Sequence, residues 1–194
     1  MHPSFNDSYR GSPPWDIGRP QPEFVKLAEK GEIHGRVLDV GCGTGENAIF
    51  LSHYGTEVWG IDSASLAIEK AKLKAQERGA RVRFLLGDAF RLDELRTKFN
   101  TIVDCGLFHI FSDEERSLFA KSLRIAMETH GTYFMLAFST KEATDWGGPR
   151  RVSEEEIKDV FRSSWKINYI KDCKIETTFH PEGGKGLLSS ITAT

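Results

Sequence analysis

The chain has 194 residues, of which 28% are charged and 39% hydrophobic, with a formal net charge of −2. That length predicts one domain able to bury a core, and the near-balanced charge speaks against nucleic acid or an acidic lipid surface as partner. Three scattered cysteines (Cys42, Cys105, Cys173), no zinc-ligand spacing and no apolar run of membrane length predict a cytoplasmic protein without disulfide framework, bound metal or membrane partner.

Residues 1–22 are rich in Pro, Gly and Ser and predict an irregular opening without the pattern of a secretory signal. Within it, Pro13-Pro14-Trp15-Asp16-Ile17-Gly18-Arg19-Pro20 sets an aromatic, an acid and a cation in a stiffened segment. It is either a tail packed on the surface or a lid, with Trp15 as cover and Arg19 as holder of an anion. The remainder, 23–194, is expected to be a single domain. Pro22 to Lys30 predicts a helix with proline at its start and Gly31 after its end.

Arg36 to Val40 predicts a buried first strand, followed by Gly41-Cys42-Gly43-Thr44-Gly45 and a helix over Asn47–Leu51 that Gly55 would stop. Alternate glycines force a tight turn and let a ligand approach the backbone, and the helix start that follows favours an anion or an electron-rich group. The spacing departs from the dinucleotide fingerprint, and Asp39, two residues before the first glycine, would repel a pyrophosphate but attract an amino group.

The second strand, Glu57 to Ile61, ends at Asp62, which is placed to accept two hydrogen bonds from a ribose diol, to cap the next helix beside Ser63, or both. That helix carries Ala64, Ala67, Ile68, Ala71 and Ala75 on one face and ends at Gly79. The third strand, Val82 to Leu86, leads to Asp88-Ala89-Phe90, where the acid either accepts from an adenine amine, with Ala89 or Phe90 covering the ring, or bonds its own turn.

The fourth strand, Phe99 to Val103, runs into Asp104-Cys105-Gly106-Leu107-Phe108-His109. Cys105 is expected to be wall rather than nucleophile, because no activating base stands near it in sequence. His109 has three readings: a base, a hydrogen-bonding partner of the substrate or a structural histidine. Capping boxes at Ser112–Glu115 and Ser153–Glu156 start two further helices, the first running to about Thr129 and the second to about Arg162. Thr132–Phe138 predicts a fifth strand. The loop after it offers Trp146 to stack on a ring and Arg150 or Arg151 to hold an anionic or carbonyl group, or it is merely solvated. Trp165 to Thr178 and Leu187 to Thr192 predict a terminal hairpin turned at His180–Gly186.

Val37-Leu38-Asp39-Val40-Gly41-Cys42-Gly43-Thr44-Gly45 resembles the first motif of class I SAM-dependent methyltransferases, and Gly87-Asp88-Ala89 resembles their adenine motif. Trp15-Asp16-x-Gly18-Arg19 and Asp104-x-Gly106-x-x-His109 resemble the branch acting on thiols, halides, thiopurines and heterocyclic toxins. The resemblance implies an α/β fold, a three-layer αβα sandwich around a Rossmann-like seven-stranded sheet of order 3-2-1-4-5-7-6 with strand seven antiparallel. It implies SAM as cofactor, S-adenosylhomocysteine as product and no metal. The cofactor would be held by Trp15, Arg19, Asp39, Gly41, Cys42, Gly43, Gly45, Asp62, Ser63, Asp88, Ala89, Phe90 and Cys105. A small-molecule acceptor would meet Phe108, His109, Trp146 and Arg150, with His109 or Asp16 taking a proton where needed. The lack of a large insertion or basic groove favours a small acceptor: a thiol, another soft nucleophile, or a hydroxyl or nitrogen on a heterocycle. The alternatives are a non-catalytic SAM-binding module and an NAD-dependent oxidoreductase, the latter disfavoured by Asp39 and the glycine spacing. Nothing in the residues specifies an oligomeric state.

Overall fold

Successive side chains of a strand point to opposite faces, so the first strand must be apolar on both if it lies between two layers. In the computed structural model β1 (Arg36–Val40) does so: Val37 joins one buried cluster and Leu38 and Val40 the other. The structure describes residues 5–54, 57–145 and 148–194, with Pro181 described by its backbone alone.

Around β1 stand β2 (Glu57–Asp62), β3 (Val82–Leu86), β4 (Phe99–Cys105), β5 (Met127–Phe138), β6 (Trp165–Thr177) and β7 (His180–Ala193). Their order is β3-β2-β1-β4-β5-β7-β6. The β3-β2-β1-β4-β5 pairs are parallel, and β7 runs antiparallel to both β5 and β6. This is the expected αβα topology. Helices α2 (Pro22–Glu29), α3 (Glu46–Leu51) and α4 (Ser65–Glu77) contribute Phe24, Ile49 and Ala71 to one face; α5 (Asp113–Ala126) and α6 (Glu154–Val160) contribute Phe119 and Ile157 to the other. A short α1 (Phe5–Ser8) precedes them. Among the described residues no helix is long and apolar enough to cross a membrane, and no cluster of His, Cys, Asp and Glu has the makings of a metal site.

Both capping boxes form, at Ser112 with Glu115 and at Ser153 with Glu156. Two boundaries differ from expectation. Helix α5 stops at Ala126 rather than near Thr129, because Met127 turns extended (φ −98°, ψ 139°) to pair with Phe99. Gly131 therefore lies within β5, in the irregular stretch of the β4–β5 register between the Phe99–Met127 and Thr101–Thr132 pairs. The segment His180–Gly186 is strand rather than turn. The chain reverses at Thr178–Phe179, between the Thr177–His180 pair, and the glycines absorb a register irregularity opposite Ile175–Thr177 instead. Gly186 packs so closely that a Cβ there would lie 2.7 Å from the Ile175 side chain. Gly55, expected to stop α3, lies outside the described residues; the helix ends in a single 3₁₀ turn, Ser52–Tyr54.

Candidate active site

All five parallel strands end at one edge of the sheet, where ligands of open α/β folds bind. There the structure holds a cavity of about 990 Å³. Its wall begins at Gly41, Cys42 and Gly43, passes Asp62, Ser63, Asp88, Ala89 and Phe90, and continues over Cys105 and Gly106 to His109 and Phe111. The N-terminal segment closes one side with Trp15, Asp16, Ile17 and Arg19.

Each wall residue is fixed by local chemistry. The glycine loop needs positive φ at Gly41 (70°), Gly43 (53°) and Gly45 (84°), where side chains are strained. Asp62 Oδ2 accepts from the Gly43 N–H (2.9 Å) and Oδ1 from the Ala64 N–H (2.8 Å), so one carboxylate ties the loop to the start of α4. Burial pushes the Asp62 pKa up, partly offset by the N–H groups of Ala64, Gly43 and Ser63. Asp88 Oδ1 accepts from the Phe90 N–H (2.9 Å) and caps the 3₁₀ turn that carries Ala89 and Phe90.

The other end of the cavity is organised by Asp104, which sequence reasoning left without a role. It is buried, accepts from the Leu107 N–H (2.8 Å), the Phe108 N–H (3.0 Å) and the Tyr133 hydroxyl (2.8 Å), and so shapes the turn bearing His109. Gly106 (φ 80°) lets the His109 ring lie against the backbone, since a Cβ there would stand 3.2 Å from the imidazole. The ring is nearly parallel to Phe138 (11° between planes), and Nδ1 accepts the Phe138 N–H at 3.2 Å. That bond leaves the imidazole proton on Nε2. Burial, with Arg116 and Arg151 nearby, pulls the His109 pKa down to about 3. With Nδ1 taken by the Phe138 N–H and its charged form disfavoured by burial, His109 presents Nε2–H as a donor, an arrangement that speaks against its reading as a base.

Several other expectations are revised. Phe108 is buried in the core, with its ring 5.9 Å from that of Phe161 and under the Arg116 guanidinium at 4.8 Å, so it is not cavity wall. Asp39 is 1% exposed and stands behind the wall, bonded to the Ala48 N–H of α3, with its other oxygen unpartnered. Burial, then the charges of Asp104 and Asp62, push its pKa up to about 8. Gly45 faces the core: a Cβ there would strike Phe84 at 2.6 Å. Asp16 accepts from the Thr44 hydroxyl (2.9 Å) and lies 3.5 Å from Lys74, so it anchors the N-terminal segment and is not a free base. Arg19 pairs with Glu176 of β6. Arg150 reaches the cavity rim but is paired with Asp113 (2.7 Å) and Glu156. Trp146 lies outside the described residues.

Sequence reasoning missed Tyr9, Thr44, Phe111, Phe138 and Phe179 on the wall. Phe138, as the last residue of a parallel strand, was open to the strand-end rule. Phe179 was not, because the hairpin turn was misplaced.

Residues 37–131 match the model of a family described as a methyltransferase domain. The 2-heptyl-1-hydroxyquinolin-4(1H)-one methyltransferase of Mycobacteroides abscessus is 36% identical over 181 residues, covering 88% of this chain and 80% of that one. A solved structure described as conversion of a disulfide bond into a thioacetal group during echinomycin biosynthesis is 32% identical, with a TM-score of 0.89 over 100% of this chain and 93% of its own. A SAM-dependent methyltransferase from Anabaena variabilis has the same fold at 21% identity, with a TM-score of 0.77 over 98% of this chain and 92% of that one. The chain belongs to the SAM-dependent methyltransferases.

Proposed function

We propose that the chain transfers a methyl group to a small acceptor whose nucleophile is acidic and largely ionised before it binds: the hydroxyl of a flat heterocycle first, a thiol second. The carrying observation is one continuous cavity with a polar, glycine-lined half and an aromatic half ending at His109. Its volume of about 990 Å³ stands at the upper end of the roughly 300–1,000 Å³ usual for one ligand, consistent with a cofactor and a small acceptor together.

The residues present fit SAM. Two carboxylates, Asp62 and Asp88, reach the wall at successive strand ends, suited to a ribose diol and an exocyclic amine. Ala89 and Phe90 offer apolar cover, and the glycine loop is packed so closely that a Cβ at Gly41 would stand 3.1 Å from Leu107 and one at Gly43 2.9 Å from the Tyr9 hydroxyl. When bound, SAM supplies a methyl group on a positively charged sulfur, open to in-line displacement by a nucleophile. Asp62 holds the ribose while keeping the glycine loop in register. Cys105 and Gly106 wall the space between the two halves; burial raises the Cys105 thiol well above its ordinary range, which keeps it protonated and inert. Trp15, Asp16 and Ile17 exclude water that would otherwise solvate the nucleophile. His109 Nε2–H donates to the acceptor and orients it, leaving proton removal to solvent before binding. Much of the rate then comes from orientation, which supplies about 7–11 kcal/mol in favourable cases.

The test is to incubate the protein with SAM and a panel of hydroxyquinolones, thiols and iodide, and to follow methylated products by mass spectrometry. Turnover of acidic heterocyclic hydroxyls, with a pH–rate limb that moves with each acceptor's own pKa, is expected. A limb fixed near pH 6.5 for every acceptor would restore a histidine base. Tight binding of S-adenosylhomocysteine with no turnover on any acceptor would leave a binding module instead.

A further inference from the structure

Helix α4 carries a row of basic residues four apart, Lys70, Lys74 and Arg78, preceded at the same spacing by Leu66. Such spacing places side chains on one helix face. The N-terminal segment lies along this row. Asn6 Oδ1 accepts the Leu66 N–H (2.9 Å), capping a helix whose own N-cap, Ala64, has no side chain able to do so. One turn on, Lys70 Nζ donates to the Gly11 carbonyl (2.8 Å). One turn further, Lys74 Nζ lies 2.6 Å from Thr44 Oγ1, 2.7 Å from Glu46 Oε1 and 3.5 Å from Asp16 Oδ1. Thr44 in turn donates its hydroxyl proton to Asp16 Oδ2 at 2.9 Å.

The N-terminal segment adds a carboxylate to this junction. Glu46 is gripped by two cations, Lys74 and Arg78 (2.6 Å), and Glu77 also acts on Arg78. Asp16 brings a further negative charge to Lys74 from the N-terminal segment. The Glu46, Asp16 and Lys74 side chains are 8%, 15% and 24% exposed, so this attraction is less screened than that of a surface pair. Burial raises the Glu46 pKa, but the hydrogen bonds from Arg78 and Lys74 outweigh it and hold the carboxyl below its ordinary range. Asp16, Thr44 and Glu46 all reach the cavity wall; Lys74 does not.

We propose that Lys74 is a positioning residue that latches the Trp15–Arg19 segment over the cavity through Asp16 and Thr44, so that cofactor retention depends on a side chain that never touches the cofactor. The proposal rests on the cavity being the cofactor site. Lys74→Met leaves Glu46 its Arg78 partner and Asp16 its Thr44 hydroxyl, but removes the ammonium that bridges Asp16, Thr44 and Glu46.

The experiment compares wild type, K74M and K74R. It reads calorimetric binding of S-adenosylhomocysteine, steady-state KM and kcat, melting temperature, and amide hydrogen exchange of peptides spanning residues 9–20. K74M is expected to bind about tenfold more weakly, as when the closed form falls to a tenth of the population, and to exchange faster over 9–20. Its KM for SAM should rise more than its kcat falls, and K74R should restore most of the loss. Unchanged affinity and unchanged exchange in K74M would overturn the latch, and so would a lower melting temperature with no change in KM. Wild-type protein that fails to bind S-adenosylhomocysteine would instead overturn the cofactor-site reading. Should K74M not fold, Asp16→Asn probes the same junction from the lid side, with faster 9–20 exchange expected and unchanged exchange overturning the proposal.

Discussion

The two halves of the cavity are built by different means. The half proposed to hold the cofactor is assembled mainly from short contiguous stretches, each a strand end followed by its own turn: Asp62 with Ala64, Asp88 with Phe90, and the glycine loop after β1. The half proposed for the acceptor is assembled from residues far apart in the chain. His109 is fixed by Phe138, Arg116 bonds Phe108 and Glu156, and the wall closes with Phe179 from the β6–β7 turn. Local construction confines the distant changes that reach the glycine loop and strand ends to the junction of Lys74 with Asp16 and Thr44; distributed construction lets the acceptor pocket change with little effect on the cofactor loop. Substitutions in the first half should therefore act on cofactor affinity for every acceptor, and those in the second on particular acceptors.

The largest effect is expected at Asp62. Asp62→Ala should weaken S-adenosylhomocysteine binding roughly a hundredfold, as two charge-assisted hydrogen bonds at about 1.5 kcal/mol each are lost. It should also lower stability, because the Gly43 and Ala64 N–H groups lose their acceptor. Calorimetry and thermal melting separate the two; unchanged affinity with reduced stability would make Asp62 a loop fastener alone. Next comes His109, in the acceptor half. His109→Ala should lower kcat/KM about tenfold or more, leaving cofactor affinity near wild type, because a donor is lost and the Phe138 N–H loses its imidazole acceptor. His109→Asn places an amide oxygen near the position of Nδ1 and should recover stability more than rate. Equal recovery of both would reduce His109 to a structural residue.

Much of the cofactor half was legible because each of its signals fits within ten residues. The glycine run, the acids at strand ends and the capping boxes each state their own geometry. Asp39 shows the limit of that reasoning. Its spacing to Gly41 was visible, but its orientation was not: strand alternation and the seat of α3 turn its carboxylate behind the wall, toward Ala48. Phe108 misled for a related reason, since neighbours on a 3₁₀ turn face different ways, one into the core and one into the cavity. The acceptor half was less legible still, because the pairings that define it join residues 29 apart at His109–Phe138 and 40 apart at Arg116–Glu156. The start of β5 was hidden by helix-favouring residues that pairing with β4 overrides.

Asp39 and His109, two of the buried ionisable groups, should respond to pH with opposite signs. Asp39 has its pKa raised from 3.8 to about 8, so its contribution is fully present below pH 3.8 and is lost as pH rises toward 8. His109 has its pKa depressed from 6.5 to about 3, so its contribution is present above pH 6.5 and lost as pH falls toward 3. Asp39→Asn should therefore raise the melting temperature at pH 8 relative to wild type and change it little at pH 4. Each unit of the shift is about 1.4 kcal/mol. A loss of stability at pH 8 would mean that the charged carboxylate is supported within the fold.

The smallest effect is expected at Phe179, where the difference between the halves is sharpest. The side chain is 70% exposed, sits on the two-residue turn of the β6–β7 hairpin and lines the cavity, while the Thr178 N–H beside it donates to the Pro14 carbonyl of the lid segment at 2.9 Å. An exposed aromatic contributes little to stability, so Phe179→Ala should change it by no more than about 0.5 kcal/mol. Its apolar face at the cavity mouth is instead suited to a chain projecting from the acceptor, where each methylene removed from water is worth about 0.8 kcal/mol. Phe179→Ala should raise KM about threefold for an alkyl-bearing hydroxyquinolone and less than twofold for its unsubstituted parent, with cofactor KM unchanged, a preference that paired steady-state assays resolve. Equal changes for both acceptors would show that the turn acts through the lid at Pro14. The hairpin would then belong to the machinery that closes over the cofactor, and the division between the two halves would have to be redrawn on the far side of β6.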